Sequence, residues 1–133
     1  MRGALTRTRA RVGRRGAFLA FLAVLDAAFG YSLLTVPRAA LARADFILPV
    51  HAWGWTWIGT GVICASGILA RKDRVQYTAA ALLKTAWGLL YAWLWWQGVP
   101  AAWVSVTVWL AFALVVVLVA GWPEEAAPPP PGP

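Results

Sequence analysis

Four apolar stretches, 17–36, 50–70, 75–96 and 101–121, take up most of this 133-residue chain, with only short connections between them. The hydrocarbon core of a bilayer is about 30 Å thick and takes roughly 20 helical residues to cross. Each stretch meets that length. The pattern predicts an all-α protein, a four-transmembrane-helix bundle over 17–121, with a basic cytoplasmic head at 1–16 and a proline-rich disordered tail at 122–133. Composition argues against a soluble domain: 61% of residues are hydrophobic and 13% charged, where a soluble domain carries about 25% charged residues.

Charge sets the expected orientation. Half of the twelve basic residues, Arg2, Arg7, Arg9, Arg11, Arg14 and Arg15, precede the first stretch with no acid among them, and Arg71, Lys72 and Arg74 lie between the second and third. Positive residues mark the cytoplasmic side and meet anionic lipid headgroups. With an even number of crossings, both termini and the second connection fall in the cytoplasm, and the first connection, with Arg38, Arg43 and Asp45, falls outside. A net charge of +7 so concentrated is a topological signal and not a nucleic-acid-binding face. The run 17–25 after Arg14 and Arg15 also imitates a secretory signal, with Ala28 and Gly30 as its small residues. Asp26 interrupts that run, and hydrophobicity resumes through Leu33, Leu34 and Val36 to a full membrane thickness. The acid-free head shares features with an organellar transit peptide too, though it is short for one. Pro37 and Pro49 bracket a segment, 38–48, expected to form a short helix on the outer surface.

Asp26 in the first stretch and Lys84 in the third are the costliest residues to place, at about 2.5–3.5 kcal/mol each near the membrane centre. Each lies nine residues from the inner edge of its stretch, a depth of about 13 Å. The two stretches run in the same direction, so an intramembrane ion pair is expected, extended by Tyr31, Ser32, Thr35 and Thr85. Gly16, Ala20, Ala23, Ala27 and Gly30 form a small-residue stripe in the first stretch, Gly54, Gly61 and Ala65 one in the second, and Ala80, Gly88 and Ala92 one in the third. Such rows let helix backbones approach closely. The valine-rich fourth stretch reads as lipid-facing.

Ten tryptophans are present, and seven of them, Trp53, Trp55, Trp57, Trp93, Trp95, Trp96 and Trp103, fall at the outer ends of their stretches. Indole rings prefer the headgroup level, so an outer aromatic belt is expected. Trp53, Trp55 and Trp57 stand two apart, however, and cannot all face lipid from one helix. Some of these rings must point inward.

Catalytic equipment is missing. His51 stands without the cluster of His, Cys or acids that a metal site needs, Cys64 has no partner for a disulfide, and Gly59, Gly61 and Gly67 fail the spacing of a nucleotide-binding loop. The sequence predicts no enzyme, no cofactor, no metal and no nucleic-acid partner, only membrane lipid and further copies of the chain in a homo-oligomer. Small size, several spans, close-packing rows and a charged cytoplasmic head together resemble the phage holins. The resemblance is one of layout and rests on no signature motif. It implies a protein that oligomerises in a host-cell inner membrane and permeabilises it, and a composition free of asparagine but rich in Ala, Arg, Gly, Trp and Pro suits a GC-rich bacterium or its phage. The acidic, proline-rich end departs from the basic tail common among holins. A small multidrug-type transporter using Asp26 is the first alternative, against which Lys84 counts as a resident competing cation. A non-catalytic membrane assembly or accessory subunit is the second.

Overall fold

The computed structural model describes residues 13–36, 38–45, 47–70 and 72–123. Among them the chain is all-helical, with no strand: α1 is Arg14–Thr35, α2 is Val50–Gly67, α3 is Arg74–Trp96 and α4 is Ala102–Ala120. These bounds revise the sequence-based stretches at their ends. α1 begins three residues early because the backbone N–H of Ala17 already bonds to the carbonyl of Gly13. α2 stops at Gly67, where the carbonyls of Ala65 and Gly67 are taken up by turn bonds from Ile68 and Ala70. The segment after α1 forms a 3₁₀ helix, Ala39–Ala44. It does not lie apart on the surface, because Leu41 is buried in the bundle's apolar core. The basic residues Arg2, Arg7, Arg9, Arg11 and Arg71, and the proline run of the tail, fall outside the described residues.

The helices run up and down. Arg15 at the start of α1 reaches both Asp73, just before α3, and the carbonyl of Trp122, just after α4, so these three points share one end of the bundle. The opposite end holds the turn between α3 and α4. There the N–H of Val99 bonds to the carbonyl of Leu94 and that of Gly98 to Trp95, with Gly98 at φ 80°. This is a Schellman stop, in which a left-handed residue lets the last carbonyls of a helix find donors. Val99 and Leu94 pack into the same apolar cluster, and Ala101, also left-handed at φ 60°, turns the chain into α4.

Two kinds of packing assemble the bundle. α1 and α2 touch backbone to backbone: a Cβ placed on Gly30 would stand 2.6 Å from the carbonyl oxygen of Gly54, and one on Gly61 would stand 2.9 Å from that of Ala23 and 3.2 Å from the nitrogen of Ala27. Only hydrogen fits at those positions. α3 and α4 pack with more side-chain material between them, Gly88 receiving the Leu110 side chain. The two hairpins then meet through rings. Phe29 and Trp109 join α1 to α4 at 5.0 Å between centroids, and Trp53 and Trp87 join α2 to α3 at the same separation. Large side chains hold the axes apart, so α1 and α3 come close at only a few backbone positions.

Among the described residues, α1 and α4 are the two helices long and apolar enough to cross a membrane. Within this fold 28% and 22% of their apolar windows are buried, so they are not shielded as the core helices of a soluble protein are. α2 carries His51, α3 carries Gln76 and Lys84, and together they hold seven of the ten Trp residues, which lower their mean hydropathy. α4 buries only Ala102, Ala113, Val116 and Val119.

Gly30→Ala should therefore lower stability by about 1–3 kcal/mol, the usual cost of overpacking, in reversible unfolding of the detergent-solubilised protein. Gly59→Ala, whose Cβ meets nothing within 4 Å, should be neutral or slightly stabilising. Equal effects of the two would remove the close approach of α1 and α2.

Candidate functional site

Midway along the bundle, Lys84 on α3 and Asp26 on α1 meet with Nζ 2.7 Å from Oδ1, both side chains at 0% exposure. Charge-assisted bonds of this length are the strong ones, and a buried pair needs that geometry to offset the desolvation of two ions. The length of the lysine side chain makes the contact possible, since the two helix backbones stay well apart at most positions.

An aromatic cage completes the lysine's surroundings. Nζ lies 5.0 Å from the ring centroid of Trp57 on α2 and 5.2 Å from that of Phe112 on α4. A desolvated ammonium over an aromatic face gains roughly 2 kcal/mol. All four helices thus contribute a group: a carboxylate from α1, rings from α2 and α4, the cation from α3. Trp57 also packs against Phe29, Trp87 and Trp109, which continues the cage into a ring stack toward the tryptophan-rich end. Asp26 Oδ2 and the ring nitrogens of Trp53, Trp57 and Trp87 are buried without a hydrogen-bond partner.

The pair separates two apolar clusters. On one side Leu33, Leu41, Trp57, Leu83, Trp87, Leu90, Leu94 and Ala102 pack together, and on the other Leu19, Leu22, Cys64, Tyr77, Ala80, Val116 and Val119. A second ion pair closes the far end of the latter: Arg15 Nη2 lies 2.6 Å from Asp73 Oδ1, the guanidinium stands 5.3 Å from the Tyr77 ring centroid, and the Tyr77 hydroxyl donates to the Arg15 carbonyl at 2.9 Å. Asp73 occupies the N-cap position of α3 but makes no capping bond with its side chain, because Arg15 takes the carboxylate. Both ion pairs join residues 58 apart in sequence. Arg15 and Asp26 are eleven residues apart, as are Asp73 and Lys84, which is about three helical turns. The two pairs therefore express one register of parallel helices, with the charge order reversed between them.

Of the small residues named from sequence, Gly16, Gly30, Gly54, Gly61, Ala80 and Gly88 are buried, and Ala20, Ala23 and Ala92 are partly buried. Ala65 is exposed and forms no part of a seam, and Ala27 is exposed as a residue although its nitrogen and Cβ flank Gly61. The third row does not bring α3 onto α1, since Gly88 faces α4. Of the expected belt, Trp55, Trp95, Trp96 and Trp103 are exposed and lie at one end of the bundle, while Trp53 and Trp93 are partly buried. Trp57 departs from the belt altogether: it is fully buried beside Lys84, because its position on α2 faces the other hairpin. Tyr31, Ser32 and Thr35 do not extend the polar site. Tyr31 is exposed, Ser32 donates to the Phe29 carbonyl and accepts from Arg38, and Thr35 donates to the Tyr31 carbonyl. Arg14, Lys72 and Arg74 are exposed, as headgroup contacts would be, whereas Arg15 is committed to Asp73.

Sequence reasoning missed Trp87, Trp109, Phe29 and Phe112. A signal was available: Phe29 follows Asp26 by three residues and Trp87 follows Lys84 by three, so each ring shares a helix face with its charge. It also missed the Arg15–Asp73 pair, because the two residues stand 58 positions apart at the margins of the apolar stretches. His51 is exposed, and no cluster of metal-ligating side chains exists among the described residues. No protein family, curated protein or solved structure was found to match this chain.

Removing one partner of the central pair should be far worse than removing both. Lys84→Met alone should cost about 3–5 kcal/mol by stranding the carboxylate, and Asp26→Leu with Lys84→Met should recover most of that loss. Detergent unfolding of the two variants measures this, and a double variant no more stable than the single one would show that the charges do not act as a pair.

Proposed function

We propose that this chain crosses the bilayer four times with both ends in the cytoplasm, and that it acts by self-association in a holin-like manner, permeabilising the membrane between protomers. The observation that carries the reading is the closed interior. At the level of Asp26 the space among the helices is taken by Lys84, Trp57 and Phe112, so a single bundle offers no polar path. Any route through the membrane then lies along faces between copies. The outer surface suits that role: α4 leaves Val104, Val108, Leu114, Val115, Val117 and Leu118 exposed, apolar enough for lipid or for another helix.

Four exposed tryptophans, Trp55, Trp95, Trp96 and Trp103, stand at one end, and Arg14, Lys72 and Arg74 stand at the other with Trp122, an excess of rings on one side and of cations on the opposite side that supports the orientation. Hydropathy alone undervalues α2 and α3 as spans, because indole is penalised on that scale yet is favoured at the membrane interface. The same closed site weighs against a transporter. A carboxylate that binds and releases a cation needs access, and here a lysine is fixed against it at 2.7 Å.

Timed induction in a bacterium, with membrane potential recorded, tests this. The expected outcome is a late, abrupt loss of potential once the protein accumulates, accompanied by cross-linked oligomers. Cells that keep their potential at high protein levels would remove the holin-like role, and a co-purifying partner in such cells would favour the accessory-subunit reading.

A further inference from the structure

The charged end of the bundle carries a groove that the central ion pair does not use. It has a volume of about 330 Å³ and lies between α3 and α4, with Arg15 and Arg74 at its mouth. Arg74, Thr78 and Leu82 line it from α3, four residues apart in one row, and Val117 and Ala120 line it from α4. From Arg74 to Leu82 the row covers about 12 Å of helix.

Charge at the mouth is unbalanced. Asp73 neutralises Arg15 at 2.6 Å, but Arg74 is exposed and no acid among the described residues pairs with it, and Arg14 and Lys72 are exposed nearby in sequence. Polarity then falls along the groove, from the guanidinium and the Thr78 hydroxyl, at the end where α4 closes with Ala120, to the apolar walls at Leu82 and Val117. Leu82 and Val117 remain more than half exposed, so the groove opens sideways to whatever surrounds the bundle.

We propose that this groove holds one anionic phospholipid, with its phosphate at Arg74 and Thr78 and the upper part of an acyl chain along Leu82 and Val117. This rests on the membrane reading above and adds a specific lipid site to it. The order cation, hydroxyl, apolar wall matches the order phosphate, ester, chain in the lipid. A zwitterionic lipid offers the same phosphate, but its ammonium would meet a mouth already rich in cations. A free phosphate would satisfy Arg74 but leave the apolar walls without a partner.

Native mass spectrometry of the full chain in detergent tests the site, with phosphatidylglycerol and phosphatidylcholine of identical chains as probes. Phosphatidylglycerol should be retained preferentially. Arg74→Gln should weaken its retention about fivefold, one cation's share at an anionic headgroup, and Val117→Trp should weaken it by filling the apolar end with charge unchanged. Equal retention of the two lipids, wild-type retention by Arg74→Gln, displacement of the lipid by inorganic phosphate, or a dimer that excludes lipid would each overturn the proposal. Arg74→Gln replaces an exposed side chain, and its helical circular dichroism is recorded beside the wild type, so it decides the matter even if Val117→Trp does not fold. Alkaline carbonate extraction separates the two levels of inference. A chain washed from membranes defeats the four-span reading, and with it the lipid site; a chain retained there but indifferent to lipid charge defeats the lipid site alone.

Discussion

An ammonium and a carboxylate enclosed by four helices leave little freedom in how those helices are arranged. Neither ion can remain buried without the other, and Lys84 and Asp26 satisfy each other only when α1 and α3 are parallel and in one register. Arg15 and Asp73 repeat the constraint three turns away with the signs exchanged. That reversal matters. With a cation followed by an acid on α1, and an acid followed by a cation on α3, turning either helix end for end would set like charges against each other. Apolar packing tolerates many arrangements of similar energy, and two charge pairs in opposite order exclude most of them.

Around that constraint the bundle uses its small and large residues differently. Glycines at 30, 54 and 61 let α1 and α2 meet along their backbones, where dispersion contacts are densest. Between the hairpins, Phe29, Trp57, Trp87 and Trp109 fill a wider gap with edge-to-face and tilted ring contacts. The gap is a consequence of the charges as much as of the rings. A lysine side chain needs several ångströms to reach a carboxylate on a parallel helix, and aromatic rings are the side chains large enough to fill the space left beside it. The faces of the Trp57 and Phe112 rings then offer the ammonium a second source of stabilisation.

Six of the ten tryptophans consequently fall into two contrasting groups. Trp55, Trp95, Trp96 and Trp103 cover one end of the bundle and remain exposed, while Trp57 and Trp87 are fully enclosed. A purely interfacial role would have left the interior to aliphatic residues. The enclosed pair instead makes the site rigid, since indole has only two side-chain torsions and here each ring is gripped by others. The centre of the bundle is thus closed by rings while apolar surface stays open outside.

Much of the architecture was legible in the chain itself. Apolar runs with short connections dictate antiparallel helices, and equal depth from the inner edge places Asp26 opposite Lys84 before any contact is known, because helical rise is fixed by backbone geometry. Rows of small residues likewise marked Gly30, Gly54 and Gly61 as close approaches. Which face each helix presents was another matter. Trp57 reads like its neighbours Trp53 and Trp55, and nothing local to it says that it lies beside a lysine 27 positions later. Ala65 continues a row of small residues yet faces outward, and Asp73, at the N-cap position of α3, serves Arg15. Rotation of a helix about its axis is set by the sum of its contacts with the other helices, a quantity that no segment carries alone, so the cage around Lys84 and the groove beside Arg74 were decided only when the helices packed.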